Sequence, residues 1–232
     1  MNKSTVPFSV IIPTLNEEEI IEKCIFSIRF INKNVEIIIA DGHSTDATTR
    51  IAEKCGVRVC ASEPGRGIQC NTGASIATGD ILVFLHADTE LPAIAFDQLN
   101  KYFQNSKIQI GTFRLSFDNN HWLFRLYSIP SRFECALTRF GDQCIVVRKS
   151  FFNSIGGFPS WPLFEDLGFM QKAGKITRIY RFRATVKTSA RRFLKHGILR
   201  QQLLNIWYIF LYFIGVAPEK LALLYERHNK AK

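Results

Sequence analysis

Three apolar runs in this sequence each stop at a carboxylate, and that spacing is the first sign of chemistry. Ile81-Leu82-Val83-Phe84-Leu85 ends in His86, Asp88 and Glu90; Val35 to Ala40 ends in Asp41-Gly42-His43-Ser44-Thr45-Asp46; Phe8 to Pro13 ends in Thr14-Leu15-Asn16-Glu17-Glu18-Glu19. Apolar runs this short cannot make a buried helix and read as strands covered on both faces. In an open α/β sheet, ligands bind outside the carboxyl ends of the strands, so an acid at a strand tip points into the site. Asp88 is therefore the first candidate ligand for a metal ion or for a metal carried on phosphates. The alternative use of Asp88, Thr89 and Pro92 is a plain strand-to-helix turn, with Asp or Thr as cap and Pro in the first turn. Asn16 is likewise an expected N-cap, with Glu17, Glu18 and Glu19 at the positive end of a helix dipole. A later acidic pair, Glu165-Asp166, lies between Phe164, Leu167 and Phe169. Burial among such neighbours raises a carboxylate pKa toward a value useful to a general base.

Elements of alternating type must carry these acids. Ile20, Ile21, Cys24, Ile25 and Ile28 form one helical stripe after the first strand. A helix over Ala47 to Cys55 and a strand over Val57 to Cys60 follow, then the loop Glu63-Pro64-Gly65-Arg66-Gly67 and a small-residue helix over Gly67 to Thr78. Arg66, Gln69 and Asn71 at that loop are polar groups able to bind a sugar or phosphates, or else a solvated surface. Strand and helix alternate through residue 104, which predicts a doubly wound, Rossmann-like open and mostly parallel sheet flanked by helices. The rhythm then changes. Ile108 to Phe117 reads as a strand, 121–138 as an aromatic helix, Gln143 to Arg148 as a strand, and Glu165-Asp166 as the opening of a short helix.

At 232 residues and 47% hydrophobic content the chain suits one α/β domain with a sizeable core. The net charge is +10, yet from Lys172 onward 14 Lys or Arg stand against 2 acids, so residues 1–171 carry −2. The C-terminal quarter thus calls for an anionic partner, diphosphate or lipid head groups; without a zinc-finger or recognition-motif signature, nucleic acid is not expected. The six cysteines (24, 55, 60, 70, 135 and 144) form no Cys-x-x-Cys pair and read as small core residues in a reducing, cytoplasmic compartment. Met1 to Pro7 lacks the apolar stretch of a signal peptide. From Leu203 to Ala217 only Asn205 is frankly polar. That length covers roughly 22 Å as a helix, short of the roughly 30 Å hydrocarbon core of a bilayer. Residues 198–217, with Arg191, Arg192, Lys195 and Arg200 just upstream, are expected to meet the inner face of a membrane, a second subunit or the core.

Taken together, the motifs carry a resemblance. Pro13-Thr14-Leu15-Asn16-Glu17, Asp41-Gly42-His43-Ser44-Thr45-Asp46, His86-Ala87-Asp88 and Glu165-Asp166 resemble the ordered motifs of family 2 glycosyltransferases with the GT-A fold. Arg66 to Ala74, the string from His86 to Pro92, Gly141-Asp142-Gln143 and Gly156-Gly157-Phe158-Pro159 are similar to those of a subgroup of short bacterial glycosyltransferases with a His-Ala-Asp motif. The resemblance implies a nucleotide-diphosphate sugar as donor. It implies that Pro13, Thr14, Leu15, Asn16 and Glu17 line the nucleoside pocket and that Asp41 accepts a hydrogen bond from the base. It assigns Asp88 to Mn²⁺ or Mg²⁺, Asp166 or its rival Glu165 to the catalytic base of an inverting single displacement, and Asp142 with Gln143 to the acceptor side. His86 stands where the family usually has a second acid, leaving open metal ligation, a ribose contact or packing. The basic residues Arg191, Arg192, Lys195 and His196 are expected either to fold over the diphosphate or to face solvent or lipid.

Residues 1–196 are then expected to be the GT-A domain, with 1–104 the nucleotide half, 105–196 the acceptor half and 197–232 an amphipathic or hydrophobic helical extension. The acceptor is expected to be lipid-linked if that extension touches a membrane. A dinucleotide dehydrogenase is excluded because no glycine-rich turn follows the first strand. A catalytically silent nucleotide-sugar binder or membrane-docked scaffold remains the alternative. The enzymatic reading requires Asp41, Asp88 and Asp166 to surround one hollow.

Overall fold

Period-two alternation of large apolar residues builds the sheet. A computed structural model describes residues 7–129 and 143–230, with the side chains of Arg192, His196, Glu226, Arg227, Asn229 and Lys230 outside that description. Asp142, Cys135 and the 130–138 part of the expected aromatic helix lie outside the described residues.

Strands β1 (Phe8–Thr14), β2 (Glu36–Asp41), β3 (Arg58–Ala61) and β4 (Ile81–Phe84) run parallel in the order β3-β2-β1-β4. Helices α1 (Ile21–Ile31), α2 (Thr48–Lys54) and α3 (Arg66–Ile76) connect them. Val10, Ile12, Ile37, Ile39, Ile81 and Val83 point into one core layer, and Ile11, Ile38, Leu82 and Phe84 into the other. Both faces are therefore dry, which is why these strands read as unbroken apolar runs. Helix α3 can lie close to the sheet because Gly73 carries no side chain; a Cβ there would sit 2.5 Å from Ile11 Cγ2.

The sheet is mostly parallel, as expected, and its antiparallel pairs fall in the second half. Beyond β4 the described sheet continues β7-β6-β8-β5, with β6 (Ile110–Phe117), β7 (Ile145–Arg148), β8 (Ile179–Thr188) and β5 (Thr89–Glu90). Strand β7 is antiparallel to both β4 and β6, β8 is parallel to β6, and β5 is antiparallel to β8. The sheet is mixed because β7 enters the gap between β4 and β6 in the reverse direction. Helices α4 (Ala95–Phe103), α5 (Trp122–Ser128), α6 (Lys149–Ser154), α7 (Glu165–Ile176), α8 (Arg191–His196), α9 (Ile198–Phe213) and α10 (Pro218–Lys230) complete the described elements.

Two further local corrections follow. Asn16 does not cap α1, which starts at Ile21. Asn16 takes a left-handed φ of 55° and its Oδ1 accepts the Thr45 N–H at 2.8 Å, while Glu17 O accepts the N–H groups of Ile20 and Ile21. Its side chain thus ties two site loops together. Strand β8 is an element the sequence pattern did not announce. Phe182, Ala184, Val186 and Thr188 are buried in alternation with exposed Arg183, Thr185 and Lys187.

Candidate active site

The β1–β2 register pairs Thr14 with Asp41 at the carboxyl ends of both strands. Asp41 is buried, and most of its capacity is used within the chain. Thr14 Oγ1 donates to Asp41 Oδ1 at 3.0 Å, Ser44 Oγ to the same oxygen at 2.6 Å, and the Ser44 N–H to Oδ2 at 2.8 Å. A carboxylate offers about four lone-pair sites, so one further donor can still be met. Leu15 and Asn16 stand exposed beside this turn, and Pro13 is half-buried.

Gln69 and Asn71, expected at the donor, are occupied elsewhere. Both belong to α3 rather than to a loop before it. Gln69 Nε2 donates to Thr14 O at 2.7 Å and Ala40 O at 2.8 Å, clamping the ends of β1 and β2 from below. Asn71 Nδ2 donates to Phe158 O and Asn71 Oδ1 accepts the Phe158 N–H, both at 2.9 Å, which fixes the Gly156–Pro159 turn. Gln143, expected on the acceptor side, is also buried; its Oε1 accepts from Arg181 Nη1, which also donates to Thr112 Oγ1 at 2.6 Å. These amides serve backbone or core partners.

The tip of β4 divides two hollows. One encloses about 320 Å³, open mouth included, and is lined by Pro13, Arg66, His86, Glu165 and Asp166 over an apolar floor of Phe84, Ile145 and Phe158. The other, about 640 Å³, is lined by Asp88, Glu90, Asp118, Lys187, Ser189 and Arg191 beside α1. His86 and Asp88 flank the buried Ala87, one facing each hollow. The expectation of a single hollow shared by Asp41, Asp88 and Asp166 is thus corrected: Asp166 lines the first, Asp88 the second, and Asp41 lies buried under its own turn. The chain leaves strand geometry after β4 and turns at residues 87–88, which separates His86 from Asp88. The one-hollow requirement set for the enzymatic reading is therefore not met. What remains for it is one sheet edge: Asp41 and Asp88 stand at the carboxyl ends of β2 and β4, and Asp166 on α7 lines the hollow beside the end of β4.

Within the first hollow the acidic pair is differentiated. Glu165 is buried and faces Arg66, with Nε to Oε1 at 3.4 Å. Gly67 permits this approach, since a Cβ there would lie 2.6 Å from Pro159 O and 3.1 Å from Glu165 Cβ. Asp166 is half-buried, and its Oδ1 accepts the Leu167 N–H at 2.7 Å. The preceding Phe164 holds a left-handed φ of 63°, costly for a bulky residue and of the kind that clusters at functional sites. Its ring meets Tyr212 of α9 at 5.2 Å, and the Tyr212 hydroxyl donates to Gln171 Oε1 at 2.9 Å. Burial raises the Tyr212 pKa, and the Asp166 charge adds to the effect. Tyr212, Lys187 of β8 and Ser189 just after it are site residues that the sequence reading did not single out.

Around the second hollow, burial raises the Glu17 carboxyl above the usual glutamate range; Arg191 opposes this, while Asp88 and Asp46 reinforce it. Arg191 reaches Glu17 and Glu19, each at 3.5 Å, so a basic side chain already stands beside the nucleotide-side acids. Among the described residues no group of three or more His, Cys, Asp or Glu could hold a metal ion. That donor set still fits a hard cation delivered by a diphosphate, because Mg²⁺ is commonly bound through one or two carboxylates plus substrate phosphates. Asp88, exposed at its strand tip, is the carboxylate available for this.

Fold and site together define an α/β protein of GT-A architecture with an acid-lined sheet edge. Residues 9–157 match the sequence model of glycosyl transferase family 2, and the chain belongs to that family. Over 97 residues it is 36% identical to the 4,4'-diaponeurosporenoate glycosyltransferase of Staphylococcus haemolyticus, a match covering 38% of this chain and 26% of that protein. Over 92 residues it is 38% identical to the PGL/p-HBAD biosynthesis glycosyltransferase of Mycobacterium bovis, covering 36% of each. The chain thus spans roughly a quarter to a third of the length of these curated relatives. Among solved structures it is similar to the mannosyltransferase PcManGT from Pyrobaculum calidifontis in complex with GDP-Man and Mn²⁺, with TM-score 0.64, 21% identity, and coverage of 93% of this chain and 67% of that one. It is also similar to S. aureus TarS 1-349 in complex with UDP-GlcNAc, with TM-score 0.63, 20% identity, and coverage of 79% and 58%. At these identities the likeness is one of fold.

Proposed function

We propose that this chain transfers a sugar from a nucleotide diphosphate to an acceptor hydroxyl by a single, inverting displacement, with Asp166 as the base. The observation that carries the reading is the first hollow, where Asp166 on α7 faces Pro13 and His86 from the ends of β1 and β4. The acceptor oxygen gives its proton to Asp166 and bonds the anomeric carbon, as the bond from that carbon to the diphosphate oxygen breaks. Glu165 is not the base in this reading, because Arg66 holds it inside the wall. Leu15, Asn16 and Glu17 flank the nucleoside, and the remaining lone pair of Asp41 meets an N–H of the base. Arg66 and Arg191, at the rims of the two hollows, offset diphosphate charge. Asp88 would hold the divalent cation, Mn²⁺ or Mg²⁺, which when bound neutralises charge on the leaving diphosphate.

Residues 1–104 then form the nucleotide half, 105–196 the acceptor half and 197–232 a helical extension. Asp142 remains a proposed acceptor contact on its sequence motif alone. The free cysteines fit a reducing, cytoplasmic setting. The test is Asp166→Asn, assayed with a panel of nucleotide sugars for binding and for turnover. Loss of turnover by about 10²- to 10⁴-fold with donor affinity retained supports a base at this position. Unchanged behaviour of the variant would instead fit a silent nucleotide-sugar binder.

A further inference from the structure

Helix α9 is turned inside out relative to an ordinary surface helix. Leu199, Leu203, Ile206, Trp207, Phe210, Phe213 and Ile214 are all exposed, between 45% and 67%. At 3.6 residues per turn they fall on one stripe. Half a turn away, the inward face carries polar groups that find partners inside the protein, Gln201 Oε1 excepted. Gln201 Nε2 donates to Asn205 Oδ1 at 2.9 Å, and the Tyr208 hydroxyl bonds His228 Nδ1 at 2.8 Å and the Tyr212 hydroxyl Gln171. Apolar outside with polar groups paired inside is the arrangement suited to an apolar exterior solvent.

We propose that this stripe lies flat in the surface of an anionic lipid bilayer. The helix cannot cross one: no helix among the described residues is long and apolar enough to span a membrane. Charge decides for lipid over a second copy of the chain. Arg200 is exposed at the edge of the stripe, Lys195 just before it, and the segment from Lys172 onward carries 14 basic residues against 2 acidic ones. A symmetric pair would set that excess against itself, whereas anionic head groups complement it. The stripe also borders the acceptor wall, because Tyr212 on the same helix packs on Phe164. Resting on the proposed transfer reaction, this geometry points to an acceptor hydroxyl carried on a lipid, presented to Asp166 at the membrane surface.

The test is co-sedimentation of the full chain with phosphatidylcholine vesicles made with and without phosphatidylglycerol, in the absence of donor. Binding is expected to the anionic vesicles, to weaken with added salt, and to fall by more than about tenfold in Leu203→Glu/Trp207→Glu/Phe210→Glu. Arg200→Glu should weaken binding and flatten its salt dependence. Circular dichroism and melting temperature check that both variants are folded. Wild-type protein left in the supernatant with anionic vesicles at low salt overturns the proposal. So does a lipid-free dimer, seen by light scattering, that the triple variant converts to monomer. Neither readout uses the transfer reaction, so failure here is separate from failure of the catalytic reading.

Discussion

Glu165 and Asp166 are adjacent, yet the fold sends them to different tasks. Glu165 opens α7 facing inward, against Arg66 and the bare backbone of Gly67, while Asp166 faces the hollow. Glu165→Gln removes the charge of a buried carboxylate whose partner Arg66 is nearly half exposed, and is expected to lower unfolding free energy by about 1 kcal/mol. Asp166→Asn, at a half-buried position whose amide oxygen can still accept the Leu167 N–H, should change stability by no more than roughly 0.5 kcal/mol. Urea denaturation of the two variants beside their turnover separates these roles, and equal destabilisation would remove the distinction. The pair itself was legible in the sequence, but its division was not, because Arg66 and Gly67 are about a hundred positions away. Cysteine behaviour is a second prediction at this scale. Burial pushes the Cys24 thiol up to about 12 and also raises those of Cys70 and Cys144. With so little thiolate, these three should resist a disulfide reagent at mildly alkaline pH in the native protein and react once it is unfolded.

Among the elements, Glu36 of β2 reinforces the ladder to β1 and β3 and ties the Thr78 turn to it. Ser9 Oγ of β1, the N–H and hydroxyl of Thr78 before β4, and Arg58 of β3 all donate to its carboxylate, at 2.5 to 2.9 Å. Burial pushes its pKa up, but these donors outweigh burial and hold it at about 2, below the ordinary 4.5. A carboxylate whose folded pKa is depressed contributes stability above its unfolded pKa and loses it as pH falls toward the folded value. Glu36→Gln should therefore cost about 1–3 kcal/mol at neutral pH, with the difference from wild type shrinking as pH falls from 4.5 toward 2. Guanidinium titrations across that range test it; a pH-independent difference would deny the charge a role. Strands β1, β2 and β4 could be read directly because each is apolar on both faces. Strand β8 escaped notice because its alternation is interleaved with arginines and lysines and resembles a basic tail. The reversal of β7 is set by which strands it joins, not by its own residues. Gln69 and Asn71 looked like ligand contacts for the same reason: polarity shows that an amide needs partners, and only the packing shows that those partners are backbone.

Across the whole molecule, acidic strand ends and a basic C-terminal quarter meet where Arg191 reaches Glu17 and lines the same hollow as Asp88. Such an edge holds unlike charges close together without closing them into a tight pair, so an incoming diphosphate and its cation can be accommodated by redistributing contacts. A ligand bound only to the native state at 100 times its Kd adds about 2.7 kcal/mol. For a chain of this size each kcal/mol moves the melting point by about 2–4 °C, so a matching nucleotide sugar with Mn²⁺ should raise Tm by roughly 5–10 °C. Asp88→Asn should abolish the increment due to Mn²⁺ while leaving a smaller shift from the nucleoside end, because Asp41 and the Leu15–Glu17 turn are untouched. Arg191→Ala should shrink the shift for diphosphates more than for the bare nucleoside and make it less sensitive to salt. If Asp88→Asn keeps the full metal-dependent shift, the cation is held elsewhere and the strand tip after β4 loses its assigned role.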